Sequence, residues 1–443
     1  MTGQPTPGTI STKQARIATL AQQMRGTALR SLSHHMDLEW LREAFRRTRK
    51  DGATGIDGET AEDFAANLEG NLQSLLDRAK SGIYRAPPVR RVHIPKGDGS
   101  KTRPIGIPTL EDKVLQRGVK MLLEPIYEGD FYDFSYGFRP RRSAHQALEA
   151  LHEGIWDMHG GWILDADIQG FFDAIDHGCM RELLRQRVVD GVVTRLIGKW
   201  LQAGVMEEGV VTHPETGSPQ GGVISPLLAN IYLHEVLDDW WAKEVLPRLR
   251  GRAFMVRYAD DFVMVFEEHA DAQRVHEVLP KRLGRFGLTL HPDKTRLIPF
   301  HNPNNWRHKE PGTFDFVGFT LFWKRSRNGK WTLTRKTARG RFSRALKALN
   351  GWMSRARHVP LKQQAATLAA KLSGHFNYYG IRGNSKSIAS FHHWACRLWK
   401  RWLGRRSQRA TLNWTRYARI LAKYPLPKPH VRVRPRQMRL ANL

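Results

Sequence analysis

Asp260 and Asp261 stand side by side in a run of apolar, β-favouring residues, Phe254-Met255-Val256-Arg257-Tyr258-Ala259-Asp260-Asp261-Phe262-Val263-Met264-Val265-Phe266. Two such arms around an acidic centre predict a hairpin with the acids at its tip. Neighbouring carboxylates beside a core repel one another and resist leaving water, and a divalent cation relieves both problems. A third carboxylate, Asp167, closes the apolar run Trp162-Ile163-Leu164-Asp165-Ala166-Asp167-Ile168, 93 positions before Asp260. Three carboxylates on adjacent strand ends could hold two Mg²⁺ ions for in-line phosphoryl transfer. Taken alone, the acidic pair also fits a solvated turn, and the neighbouring segments have to decide between the two.

Asp167-Ile168-Gln169-Gly170-Phe171-Phe172-Asp173 places an aromatic five positions after the first carboxylate. Gly217-Ser218-Pro219-Gln220-Gly221-Gly222 and Ser225-Pro226-Leu227-Leu228 follow before the hairpin. Glycines there let backbone approach a substrate closely. Ser225 as N-cap and Pro226 at the first helical position would start a helix. Lys96 and Arg103, seven positions apart across an expected hairpin turn, could project two cations toward a triphosphate. Lys96 by itself is more often a solvated turn lysine.

These residues need elements to hold them. Asp37 to Arg49 reads as a helix, and a glycine-punctuated loop follows at 51–58. A helix through Phe64, Leu68, Leu72, Leu75 and Leu76 comes next. Val89–Ile94 and Thr102–Ile107 read as strands joined by a turn at Lys96-Gly97-Asp98-Gly99. Leu110–Ile126 reads as a helix, and another begins at an Asp176 N-cap after the Asp167 strand. Strand, helix and two further strands predict the core of a ferredoxin-like split βαβ sheet, with Asp167 near the hairpin tip. Gly287–Phe300 offers one more strand, and Phe314–Trp323 a hairpin arm. Beyond Thr337 the pattern is helical, with breaks expected near Gly374, Gly380 and Gly383.

Charge is divided unevenly. The chain holds 71 Lys+Arg and 42 Asp+Glu, a net +29, yet Phe316–Leu443 has 30 Lys/Arg and no acid. All the excess therefore lies in the last 128 of 443 residues. A solvated face would mix signs, whereas exclusion of acids marks a polyanion partner, nucleic acid before anionic membrane. Trp352, Trp394, Trp399, Trp402 and Trp414 interleave with these cations as base-stacking or core residues. Two cysteines are too few for a disulfide framework or a cysteine-rich zinc site. No run approaches a membrane span, and the N-terminus lacks a signal-peptide core. The acid-free stretch through Met36, with Lys13, Arg16, Arg25 and Arg30, fits an RNA-facing helix better than an organellar transit segment. A cytoplasmic, nucleic-acid-associated enzyme is expected.

In order along the chain, these blocks resemble a bacterial group II intron-encoded reverse transcriptase/maturase, from about residue 40 to about 430. The loop at 51–58 and Arg103-Pro104-Ile105-Gly106-Ile107-Pro108 resemble its first blocks. Ser135-Tyr136-Gly137-Phe138-Arg139-Pro140 and Arg142-Ser143-Ala144-His145 resemble the next. The Asp167 block, Ser218-Pro219-Gln220-Gly221-Gly222 and Tyr258-Ala259-Asp260-Asp261 resemble polymerase motifs A, B and C. Lys294-Thr295 and Phe316-Val317-Gly318-Phe319 fit the motif D lysine and the primer-grip region. Gly374-His375-Phe376-Asn377-Tyr378-Tyr379, with Arg405-Arg406-Ser407, resembles the thumb, or domain X.

The resemblance implies an α+β right-hand polymerase. Residues 1–85 would be an N-terminal extension, 86–330 fingers and palm, 331–430 a helical thumb and 431–443 a basic tail. It implies an RNA-directed DNA polymerase that binds its intron RNA, assists splicing and copies it into DNA during retrohoming. Asp167 and Asp260 would be the principal ligands of two Mg²⁺ ions, with Mn²⁺ as a substitute. Asp261 completes that site, and the Ile168 carbonyl assists. Phe172 would exclude a ribose 2′-hydroxyl, and Gln220 would line the nucleotide pocket. Lys96 and Arg103 would contact the deoxynucleoside triphosphate, and Lys294 is a candidate general acid for pyrophosphate. Gly318, Phe319, Tyr378, Tyr379, Arg405 and Arg406 would contact primer or RNA. No cysteine pair is left to build the endonuclease module of many members. Insertion into single-stranded or replicating target DNA is therefore expected. Two other readings stand beside this one: a splicing-only RNA-binding maturase, and a related enzyme of repair or phage defence.

Overall fold

In the N-terminal part the sequence builds two sheets. Its strands are β1 (Val89–Lys96), β2 (Lys101–Ile107), β3 (Trp162–Asp167), β4 (Val205–Glu207), β5 (Val210–Thr212), β6 (Ala253–Tyr258), β7 (Asp261–Phe266) and β8 (Arg296–Pro299). The computed structural model describes residues 7–96, 101–207, 209–212, 216–217, 221–304, 311–407 and 412–431. One sheet runs β2-β1-β4-β5 and the other β6-β7-β3-β8.

The second sheet is antiparallel throughout. Its chain order, β3, helical crossover, β6, β7, helix His269–Gly284, β8, against its spatial order is the split βαβ arrangement expected from the sequence. Phe262 to Phe266 are all fully buried, which is why β7 reads as an unbroken apolar run and not as an alternating one. β7 lies inside the sheet beside β3, so the two acid-bearing strand ends meet.

Helices around this sheet follow their sequence signals closely. Asp37 caps Leu38–Arg47, Thr109 caps Leu110–Asp130, and Asp176 caps His177–Arg185. The stretch from Phe64 to Leu76 forms two helices, Ala61–Ala66 and Leu68–Ser81, the first closed by a Thr60–Asp63 capping box. The N-terminal helix Pro7–Gln23 buries Ile10, Ile17 and Ala21, and its Gln14 side chain donates to the Met121 carbonyl (3.1 Å). One capping expectation is corrected. Helix Ser225–Leu233 starts at Ser225 with Ile224 as its cap residue, and no side chain of its own caps it. Gln116, from the helix Leu110–Asp130, accepts instead from the two backbone N–H groups just before it, Val223 and Ile224.

The chain divides into two compact units, Met1–Pro299 and Phe300–Leu443. The expected boundary near residue 330 would cut a hairpin. β9 (Phe314–Phe316), β10 (Phe319–Arg325) and β11 (Trp331–Thr337) form one antiparallel sheet, with β10 and β11 in register from Phe319↔Thr337 to Arg325↔Trp331. Phe314–Trp323 is thus a turn with both its arms, β9 and most of β10. Helices Arg339–Arg355, Leu361–Tyr379, Ser385–Leu403 and Trp414–Lys423 complete this unit around Leu368, Leu372, Phe376, Phe391 and Trp399. Gly374 does not break its helix. The cost of a mid-helix glycine, about 1 kcal/mol, is outweighed where Leu372 and Phe376 on either side are fully buried. No helix among the described residues is long and apolar enough to cross a membrane.

Candidate active site

Asp167 is the last residue of β3 and Asp261 the first of β7, and they are direct cross-strand partners. Asp260 occupies the two-residue turn between Tyr258 and Asp261. Three strand ends thus bring together carboxylates separated by 93 positions of sequence. Burial raises the proton affinity of Asp260, the Asp167 carboxylate raises it further, and Arg103 and Lys294 oppose the rise. A group that burial and a like charge push toward neutrality is one that a cation would return to its ionised form.

The turn itself is unusual. Ala259 has φ +59°, a left-handed conformation that side-chain-bearing residues enter at a cost. Its surroundings hold it there. Arg257 is wholly buried and ion-paired to the wholly buried Asp238. The same guanidinium donates to the Ala259 carbonyl (3.1 Å) and to Asn230 Oδ1 (3.1 Å). Asn230 in turn donates to the Gly137 carbonyl (2.7 Å). Residues 134–136 run alongside β6, joined by Arg257 N to Phe134 O and Tyr136 N to Arg257 O. Gly137 packs flat on the turn, so that a Cβ there would lie 2.2 Å from the Ala259 nitrogen. The Ser135-Tyr136-Gly137 block therefore serves as a backstop for the acidic turn.

Lys294 reaches Asp167 at 2.5 Å. It is held by a tight turn in which His291 N donates to the Asp167 carbonyl (2.8 Å) and Thr295 N to the His291 carbonyl (3.0 Å). Ile168 sits between that bond and the Gln169 N bond to Thr289 O (2.8 Å), in an isolated bridge with Leu290. Among the described residues, no group of three or more carboxylates, imidazoles or thiolates is arranged to hold a metal ion. What the strand ends do present is a hard oxygen set, the donor type that suits Mg²⁺. That ion is commonly held by one or two carboxylates, with phosphate oxygens and water completing its shell.

Gly217 lies against the short helix Phe171–Ala174 that follows Asp167, and Gly221 against β2. A Cβ on Gly217 would sit 3.1 Å from the Asp173 backbone, and one on Gly221 2.4 Å from the Gly106 carbonyl. Gln116 anchors the approach to helix Ser225–Leu233, its Oε1 accepting from Val223 N (2.7 Å) and Ile224 N (3.3 Å) just before the first helical residue. Gln116 is oriented by Asp112, which also accepts from Tyr84 Oη and Trp200 Nε1, both at 2.6 Å. Burial pushes the Asp112 carboxyl up to about 6. Sequence reasoning missed Asp112, Gln116, Asn230, Asp238 and Arg257 as contributors. The signal was there in outline, as polar residues at core positions of apolar helices and strands.

Phe172 is half-buried and meets Phe171 edge-on at 5.4 Å. Arg103 is exposed on β2 opposite Ile94, and Lys96 closes β1 opposite Lys101. Gln220 lies outside the described residues. In the second unit Gly318 needs its φ of +86°, and Tyr378 Oη donates to the Val317 carbonyl (2.7 Å). Phe319 is a correction. It is wholly buried, with Tyr378 and Tyr379 against it at 5.8 and 5.2 Å, so its side chain builds the unit and does not face a ligand. Tyr378 and Tyr379 are half-buried in that same cluster. Arg406 donates to the carbonyls of His358 and Val359 in the loop between helices Arg339–Arg355 and Leu361–Tyr379, while Arg405 is exposed beside Trp402. Of the tryptophans, Trp399 is core and Trp394 and Trp414 are exposed.

The reverse transcriptase (RNA-dependent DNA polymerase) family model matches residues 94–321. Protein YkfC of Escherichia coli (strain K12) is 35% identical over 378 residues, which cover 77% of this chain and 96% of that protein. Group II intron-encoded protein LtrA of Lactococcus lactis subsp. cremoris is 43% identical over 182 residues, 41% of this chain and 30% of LtrA. The 91 kDa protein in the cob intron of Schizosaccharomyces pombe is 37% identical over 169 residues, 38% of this chain and 20% of that protein. The matched regions thus span nearly all of one relative and less than a third of the other two.

Proposed function

The chain belongs to the reverse transcriptase family, among the group II intron-encoded reverse transcriptases and maturases, and on that premise we propose that it copies its own intron RNA into DNA during retrohoming and assists that RNA's splicing. The observation that carries the proposal is the pairing of Asp167 with Asp261 beside the Asp260 turn. A splicing-only protein has no use for carboxylates forced together at strand ends. In this reading the sheet β6-β7-β3-β8 is the palm, the β1–β2 ribbon belongs to the fingers, and the helices after Thr337 form the thumb.

Asp167 and Asp260 would hold Mg²⁺, or Mn²⁺ in its place, with Asp261 and the Ile168 carbonyl completing the set. When bound, such ions lower the pKa of an attacking hydroxyl and neutralise charge on the leaving pyrophosphate. The chain's own residues do the rest. Arg103, on the exposed ribbon, offers a planar fork to triphosphate oxygens, and Lys96 adds a point charge. Lys294 carries an ammonium to the edge of the carboxylate cluster, where it can pass a proton to the leaving group. Phe172 would limit room beneath the sugar, and Gln220 would line the nucleotide pocket. Gly217 itself lies close to the Asp173 backbone and Gly221 to β2.

The test is primer extension on an RNA template with Mg²⁺. Asp260→Asn and Asp167→Asn should each lower the rate at least ~10³-fold, since metal-centred charge stabilisation supplies several kcal/mol. Both variants should retain RNA affinity. Near-normal extension by Asp260→Asn would remove these carboxylates from the chemistry.

A further inference from the structure

Helices His177–Arg185 and Gly191–Leu201 enclose a second feature of the N-terminal unit, a cleft of about 300 Å³. Arg181, Arg185, Thr194, Arg195, Lys199 and Gln202 line it. Arg181 and Arg185 are one turn apart on the first helix, and Arg195 and Lys199 one turn apart on the second. Cations therefore enter from both walls. The space beside Gly198 is open, since a Cβ there would meet only Arg181 Nε, at 3.9 Å.

Among the described residues, no carboxylate lines the cleft. Among those same residues, Arg181, Arg185 and Arg195 take part in no ion pair, while Lys199 donates to the backbone carbonyls of Gly82 and Tyr84. The positive excess of the chain lies after residue 315, and everything before it sums to a net −1. Four cations without an acid are thus a local concentration in an otherwise balanced body. Like charges held together around a cavity repel unless an anion joins them. Guanidinium groups match phosphate oxygens in pairs, and a threonine hydroxyl and a glutamine amide add neutral polar groups.

We infer that this cleft, whose lining shares no residue with the acidic strand ends, grips the phosphodiester backbone of the RNA. The inference rests on the polymerase reading for the identity of the polyanion. It adds a phosphate-binding site in the N-terminal unit to the basic C-terminal one.

The experiment uses the full chain with Arg181, Arg185 and Arg195 all changed to Gln. Two probes separate this inference from the polymerase reading: a long structured RNA and a short primer–template duplex. On the RNA, affinity should fall about tenfold or more. The slope of log K against log salt should become shallower by about 2 to 3, roughly one unit for each phosphate no longer neutralised. On the short duplex at saturation, extension should equal wild type. Failure of wild type to extend would count against the polymerase reading alone. The triple Arg→Lys variant, which keeps the charge, should recover most of the RNA affinity. A folded triple Gln variant, checked by circular dichroism and Tm, with wild-type affinity and slope overturns the inference. So does binding of inorganic phosphate by wild type and not by the variant with RNA affinity unchanged, because the cleft would then take a small anion. If the triple variant misfolds, Arg185→Gln and Arg195→Gln alone, both at exposed positions, should each shift the slope by about one.

Discussion

At the scale of single residues, the acidic turn depends on side chains that never touch a substrate. Arg257 neutralises Asp238 in a fully buried pair and at the same time holds the Ala259 carbonyl. Removing one partner of such a pair leaves an uncompensated charge and costs about 3–5 kcal/mol. Gly137 works by what it lacks. Gly137→Ala drives a methyl into the Ala259 backbone, and backbone cannot swing aside as a side-chain tip can. The variant should fold and bind RNA. Its primer extension should fall at least about tenfold, because an active-site displacement well below ~1 Å is enough to matter. Extension at the wild-type rate would show that the turn tolerates displacement and that the backstop is unimportant.

At the scale of elements, the segment leading into helix Ser225–Leu233 is anchored by a neighbour, the helix Leu110–Asp130, through Gln116. Gln116→Leu keeps the volume and leaves two backbone N–H groups without their acceptor, at a cost of about 1–3 kcal/mol. The same network gives stability a pH dependence. Asp112 has an ordinary value of 3.8 and is raised to about 6 in the folded chain. Between those values the folded state holds a proton that the unfolded state has released, so stability declines as pH rises from about 4 to about 6. Above that range the contribution is gone. The loss approaches ~3 kcal/mol by order of magnitude, at about 1.4 kcal/mol per pKa unit. Denaturant midpoints of wild type and Asp112→Asn across pH ~4 to ~7 check this, and the variant should lack this segment of the slope. Parallel curves for the two proteins would assign the proton elsewhere.

At the scale of the whole molecule, charge and fold divide at nearly the same place. The compact unit Phe300–Leu443 holds all 30 cations of the acid-free stretch. Trp394 and Trp414 are exposed there, 46% and 56%, each with a cation over its ring, from Arg397 and Lys400. Deleting residues from Phe300 onward follows the structural division, whereas a cut near Lys336 would trim β11, the partner of β10. RNA affinity of the 1–299 fragment should drop by at least ~10³-fold at moderate salt, and its salt slope should shrink sharply. Circular dichroism establishes that the fragment is folded. A folded fragment with the full-length affinity and slope would move the main RNA platform into the N-terminal unit.

The sequence alone determined the elements with strong local signals. The apolar arms around Asp260 and Asp261 pair as a hairpin, and Asp37, Thr60 and Asp176 cap helices with their own side chains, each accepting from the backbone N–H three residues on. The ordered motif blocks carried the family, and the lopsided charge pointed to a polyanion partner. What tertiary structure decided was everything that rests on residues distant in the chain. The pairing of Asp167 with Asp261, the Gln116 bond to Ile224, the Arg257–Asp238 pair and the burial of Phe319 against tyrosines have no local pattern to announce them. A helical tryptophan reads the same whether it is core, as Trp399 is, or exposed, as Trp394 is, because periodicity names a face but not what covers it. Likewise, four cations spread from Arg181 to Lys199 read as ordinary helix surface until two helices close them around one cleft.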